Sequence, residues 1–182
     1  MTVSVNKYQS NSVQSSSVSM DFETCFQESW VRVYGVIYRI VGDHAEAEDL
    51  ALETFLRYYQ RPPRVKTNVP GWLFRVATNL GLNALRARKR RTQYETRAGN
   101  LNLEKSQPGN PEAEVEKSEE QQRVRQVLAR MKPRFAKILV LRYAGCSYAE
   151  VAAGAGISKA SVGKLLARAE RDFKKRYQAL IS

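Results

Sequence analysis

From Asp21 onward the apolar residues of this chain recur at intervals of three and four, and no useful length alternates with a period of two. That property confines the fold to packed helices. A 3.6-residue repeat stacks every third and fourth side chain on one face, whereas a half-buried strand needs strict alternation. Trp30, Val33, Tyr34, Ile37 and Val41 draw the first stripe. Gly42 follows at a position that suits a helix stop with positive φ, and Asp43 with Glu46 has the spacing of a capping box opening a second helix. That helix is predicted to run to about Gln60, with Ala47, Ala51, Phe55 and Tyr58 on one face. The tight joint makes the two helices antiparallel. Pro62, Pro63 and Pro70 bracket a loop, RPPRVKTNVP, and Pro70 suits the first turn of a third helix. Leu73, Val76, Ala77, Leu80 and Ala84 form its apolar face, Arg75, Asn79, Asn83 and Arg86 share the opposite one, and it closes on RARKRR at 86–91.

Composition then divides the chain. Residues 1–20 hold seven serines and no charge except Lys7, too little apolar surface to offset the entropy of ordering, so a disordered tail is expected. The tail also lacks the basic-then-apolar layout of a secretory signal. Residues 98–117, AGNLNLEKSQPGNPEAEVEK, are polar and acidic with two Gly and two Pro, and read as a linker. The expected organisation is an all-α chain: the tail, a helical domain at 21–95, a flexible linker at 96–120 and a second small helical domain at 121–179. In the latter, Val124, Val127, Leu128 and Met131 precede a helix restarted by Pro133 and stopped by Gly145. Ser147-Tyr148-Ala149-Glu150 is a clean S-x-x-E box opening a short helix. Gly154 and Gly156 make a turn, and Ser158 is placed to cap a last helix reaching about Tyr177. A short helix, a glycine turn and a longer basic helix are the parts of a helix-turn-helix.

The charge of +12 conceals an alternation. Residues 1–60 carry a net −4, 61–97 a net +9, 98–122 a net −4 and 123–182 a net +11. Two cationic blocks nearly free of compensating acids point to two contacts with a polyanion. In the last helix Lys159, Lys164, Arg168 and Arg171 project outward, where they can meet phosphates and base edges. In the third, Trp72, Arg75, Asn79 and Asn83 beside the basic run combine cations, amides and aromatics, the mixture that holds single-stranded DNA. A structural helix with Trp72 in the core is the alternative. Glu46, Glu48, Asp49 and Glu53 give the second helix an acidic face, either a docking surface for a basic protein or a solvated face. One histidine, His44, and two cysteines, Cys25 and Cys146, at distant positions make no zinc site or disulfide framework, so no metal and no cofactor is expected, and the acidic face is a weak metal candidate because no His or ligand-like loop supports it. No run of 18 apolar residues is present, so no spanning helix is expected. A conventional helix-turn-helix regulator and a metal-dependent nuclease built on the acidic cluster are the competing functional readings.

Taken in order, three segments resemble an extracytoplasmic-function (group 4) RNA polymerase sigma factor of the sigma-70 family. GDHAEAEDLALETFLRYY resembles the core of region two, GWLFRVATNLGLNALRARKRR the helix that reads and melts the promoter minus-10 element, and MKPRFAKILVLRYAGCSYAEVAAGAGISKASVGKLLARA region four. The resemblance covers roughly Phe22 to Tyr177. It implies a non-enzymatic, cytoplasmic initiation factor whose partners are core polymerase (the β′ clamp and the β flap), promoter DNA and, in many such proteins, an anti-sigma factor, with no membrane contact. It implies polymerase binding by Glu48, Asp49, Glu53 and Phe55 and minus-10 contacts by Trp72, Arg75, Asn79, Asn83 and Arg86. The loop at 64–69 takes the position where the family captures a flipped base. Minus-35 contacts fall to Ser158, Lys159, Ser161, Lys164, Arg168 and Arg171. The sequence departs from the family pattern at Leu52, where a polar residue is common, and at Asn83, where Asp is usual. Gly163 and Leu165 replace the usual cations of the recognition helix, and Gly154 replaces an apolar side chain of the helix before it.

Overall fold

The computed structural model describes residues 10–63, 68–97 and 112–182, and every regular element among them is helical. The first helix, α1 (Ser10–Val41), begins eleven residues before the predicted start at Asp21. The second half of the serine-rich segment is therefore helical, against the expectation of disorder. Extending an existing helix adds one hydrogen bond per residue without a new nucleation cost and needs no apolar stripe. Residues 1–9 lie outside the described residues.

Gly42 takes φ 72°, as the stop requires, and α2 (His44–Gln60) follows at once. The Asp43 carboxylate accepts the Glu46 N–H at 2.8 Å. The Glu46 carboxylate is drawn instead into an ion pair with Arg88, which also reaches the Val41 carbonyl. That arginine pins the third helix, α3 (Val69–Arg97), to the α1–α2 corner. Asn68 opens α3 by accepting the Gly71 N–H at 2.9 Å. Val33, Ile37, Ile40, Phe55, Leu73, Phe74 and Leu82 form the core between these helices. Along α1, rings recur every fourth residue from Phe22 to Tyr38 in successive contact, and Phe55 meets Phe26 edge-on at 4.8 Å.

The second unit starts inside the predicted linker: α4 spans Glu112–Arg130. The middle of the linker, 98–111, lies outside the described residues. Then come α5 (Pro133–Tyr143), α6 (Tyr148–Ala155), a 3-10 turn (Lys159–Ser161) and α7 (Val162–Ile181). Val127, Ile138, Leu141, Val151, Val162 and Leu166 are buried among them. The two helical units also touch: α6 packs on α3, and the buried apolar residues of both form one continuous cluster.

Candidate nucleic-acid interface

The helix-turn-helix is fixed locally. Ser147 and Glu150 close a reciprocal capping box, in which the Glu150 N–H donates to the Ser147 hydroxyl and the Ser147 N–H donates to the Glu150 carboxylate at 2.8 Å. Burial alone would raise the Glu150 carboxyl, but the Ser147 backbone donor and the Arg32 guanidinium outweigh it and hold it below its ordinary range. At the other end of α6, Gly156 adopts φ 68°, a left-handed conformation that costs a residue with Cβ about 1–2 kcal/mol. The Ile157 N–H returns to the Ala152 carbonyl at 2.9 Å, and Val162 and Leu166 fill the angle between α6 and α7. Ser158 does not cap α7 as predicted. Its hydroxyl meets that of Ser161 at 2.7 Å, and the 3-10 turn places the start of α7 at Val162.

This frame leaves Lys159, Lys164, Arg168 and Arg171 exposed on one helix and its entry. Arg171 is partly folded back, its Nε donating to the Ala167 carbonyl at 3.2 Å. Gly163 faces the Tyr148 ring across ordinary van der Waals distance, so the missing side chain leaves a shallow surface between α6 and α7.

The minus-10 candidates on α3 fall into two groups. Asn83 is exposed and Asn79 half-buried on the outer face. Trp72 is half-buried with its ring 5.8 Å from that of Tyr58, so its lodging on α2 is at least partly structural. Arg75 is engaged by the second unit, donating from Nε and Nη2 to the Ala153 carbonyl at 3.2 and 2.7 Å. Arg86 lies within 3.5 Å of the Met131 carbonyl. Burial and then neighbouring cations push several groups of this region down: Arg86 beside Arg90, Lys89 beside Arg130, and Lys137 beside Arg75 and Arg86. Cations from both units are thus crowded together, an arrangement that favours an anion between them. Residues 64–67 of the candidate base-capture loop lie outside the described residues.

On α2, Glu48 and Asp49 are exposed, and Glu53 pairs with Arg57. Phe55 lies on the apolar face that its spacing predicts, 2% exposed and packed against Phe26 and Trp30, so of the motif residues that the resemblance assigns to polymerase binding it is the one buried in the free chain. The surface apolar residues of this helix are Leu52, Leu56 and Tyr59, at steps of four and three. That spacing was a signal in the sequence that the charge pattern overshadowed. His44 stacks on Tyr38 with centroids 4.4 Å apart, and its Nδ1 meets the Tyr34 hydroxyl at 2.7 Å, a packing role. Cys146 is buried, and desolvation followed by the Glu150 charge pushes its thiol up, away from nucleophile chemistry. Among the described residues no group of three His, Cys, Asp or Glu could hold a metal ion, and no helix is long and apolar enough to cross a membrane.

Two family models match the chain, sigma-70 region 2 over residues 20–91 and sigma-70 region 4 over 121–173. The chain belongs to the extracytoplasmic-function sigma-70 family. It is similar to the ECF RNA polymerase sigma factor SigE of Mycolicibacterium smegmatis, 29% identical over 145 residues that make up 79% of this chain and 56% of that one. It is similar also to the ECF sigma factor SigW of Bacillus subtilis, 38% identical over 60 residues, 32% of each chain. The chain therefore spans about half, or less, of the length of these relatives. Two solved structures share the fold. CnrH in complex with the cytosolic domain of CnrY has a TM-score of 0.56 at 17% identity, covering 88% of this chain and 90% of that one. The sigma factor RpoE with the anti-sigma factor NepR from Bartonella quintana has a TM-score of 0.53 at 19% identity, covering 87% and 97%.

Proposed function

We propose that this chain is a non-catalytic, cytoplasmic initiation factor that binds core RNA polymerase, directs it to particular promoters and helps open the DNA. The observation that carries this reading is the presence, in order, of both sigma modules, each exposing cations on a helix suited to DNA. Lys164 and Arg168 grip the upstream minus-35 duplex, with Lys159, Arg171, Ser158 and Ser161 at its edge. Arg75, Asn79, Asn83 and Arg86 take the separated minus-10 strand, with residues 64–69 capturing a base. Unstacking that base costs a few kcal/mol, offset by the contacts its capture allows. Glu48, Asp49 and Glu53 meet basic groups of the β′ clamp, and the β flap takes the second unit. An inhibitor protein is a further expected partner, since the two structural neighbours are each held by another chain. Run-off transcription with purified core polymerase and a genomic fragment library tests the proposal. Discrete transcripts that require this chain are the expected result, and their absence from every template overturns it.

A further inference from the structure

From Val69 to Tyr94, and again from Gln121 to Ala149, the chain carries no carboxylate. The fold sets these two stretches against each other, with α3 packed on α4 and α5. The seam between them is narrow, because α6 sits close on α3 beside it. A Cβ at Gly71 would collide with that of Ala153, and one at Gly154 would stand 3.3 Å from the Phe74 Cβ. Lys89 of α3 stands beside Arg130 at the end of α4, and Lys137 of α5 stands beside Arg75 and Arg86 of α3. Arg86, Lys89 and Lys137 are half-buried. Among the described residues neither lysine has an ion pair or a side-chain hydrogen bond. On the other helices packed against α3, Glu46 pairs with Arg88, Glu53 with Arg57 and Glu150 with Arg32, and α1 carries no acid after Glu28. The Met131 carbonyl, 3.5 Å from Arg86, lies at the end of α4, and a helix end carries only about half a charge. A half-buried cation without an acceptor is costly, and an anion from solution relieves that cost.

We propose that this seam binds a small oligophosphate, gripped by Arg86 and Lys89 from α3 and by Arg130 and Lys137 from α4 and α5. Guanidinium forks take phosphate oxygens in pairs, and the lysines act as point charges on the oxygens left over. The depressed proton affinity of Arg86, Lys89 and Lys137 has the same origin, desolvation and then crowding by like charge. An oligophosphate concentrates several negative charges in a compact group that suits a narrow cleft. A nucleic-acid strand spreads one charge per nucleotide and would bring its sugars and bases into the seam. Binding of the small anion is a property of the free chain and does not need the proposed function. Where that function holds, Arg86 is shared, so an oligophosphate in the seam competes with the minus-10 strand.

Titration calorimetry of the full chain with inorganic triphosphate, free of magnesium, tests the site. At about 0.15 M salt attraction between exposed charges is largely screened. Wild type is expected to show saturable binding, and Lys89→Ala and Lys137→Ala are each expected to weaken it about tenfold. Lys175→Ala removes the same charge from the exposed side of α7 and is expected to stay within about twofold of wild type. Circular dichroism checks that every variant keeps its helices, and Lys137→Met, which retains the apolar stem, is expected to repeat the loss. ATP under the same conditions separates the sources: affinity equal to triphosphate or tighter assigns the site to the phosphate tail of a nucleotide, and weaker affinity assigns it to the free oligophosphate. The site is overturned if wild type shows no saturable binding, or if all three alanine variants lose affinity alike, as non-specific attraction to a chain of charge +12 would give. A wild-type chain that starts no transcript with core polymerase overturns the proposed function instead and leaves the titration to decide the site.

Discussion

Ser147→Ala removes one half of the capping box and leaves the other. The Ser147 hydroxyl accepts the Glu150 N–H at 3.3 Å, while the Ser147 N–H donates to the Glu150 carboxylate at 2.8 Å and survives the substitution. Loss of a serine N-cap costs about 0.5–2 kcal/mol, and the length of the affected bond places this one at about 1 kcal/mol. The cost falls on α6, only eight residues long, whose orientation sets that of α7. Its readout depends on how much of the chain unfolds with it. If the second unit melts alone, 1 kcal/mol lowers the midpoint by about 4–8 °C; if both units melt together through the α3–α6 contact, the same cost gives about 2–4 °C. Thermal unfolding followed by circular dichroism measures the shift, and Ser147→Thr, which keeps a hydroxyl acceptor, is expected to recover most of it. A midpoint for Ser147→Ala that matches wild type refutes the assignment of the box as the device that seats α6.

The Glu150 carboxyl is held low in the folded chain, so its contribution is complete above the unfolded carboxyl range, about pH 4.3, and fades as pH falls through the lower folded value. Urea midpoints across the acid range should therefore fall less steeply in Glu150→Gln than in wild type, and parallel curves would remove the linkage. Lys164→Ala with Arg168→Ala is expected to weaken duplex minus-35 binding and to reduce the log–log salt slope by about 1 for each phosphate left without its cation. An unchanged slope would move the duplex-binding face elsewhere. Asp49→Ala with Glu53→Ala should lower affinity for core polymerase while far-ultraviolet dichroism stays native, because Asp49 is exposed and the Glu53–Arg57 pair adds only about 0.3–0.5 kcal/mol to α2. Wild-type retention on core polymerase would detach the acidic face from docking.

The helices were legible because their signals are local. Apolar spacing on α1, α2 and α3, the Asp43 and Ser147 caps and the positive φ of Gly42 and Gly156 each act within a few residues, and each appears where the pattern puts it. The start of α4 was hidden because the segment before residue 120 reads as a polar, acidic stretch with Gly and Pro and carries no apolar stripe. Ser158 misled for a different reason: serine before a helix is a cap only if its hydroxyl reaches a backbone N–H, and here Ser161 offers it another hydroxyl first.

The site was legible as a set of helix faces and illegible as a set of free surfaces. The family motif sets Phe55 beside its acidic neighbours while helical spacing sets it on the apolar face, and the spacing prevails: Phe55 is buried, and Leu52 and Leu56 stand on the outer side. Arg75 shows the deeper difficulty. Its place on the polar face of α3 follows from spacing alone, but what it touches depends on a contact made by residues without side chains. Gly71 and Gly154 carry no hydropathy and no charge, so their effect on packing leaves no pattern to read; it lies in what they fail to fill. A glycine that replaces an expected apolar residue is read from sequence as a defect in its own helix. Placed against Phe74 it becomes the fit between two units, and through that fit the Ala153 carbonyl comes within reach of Arg75.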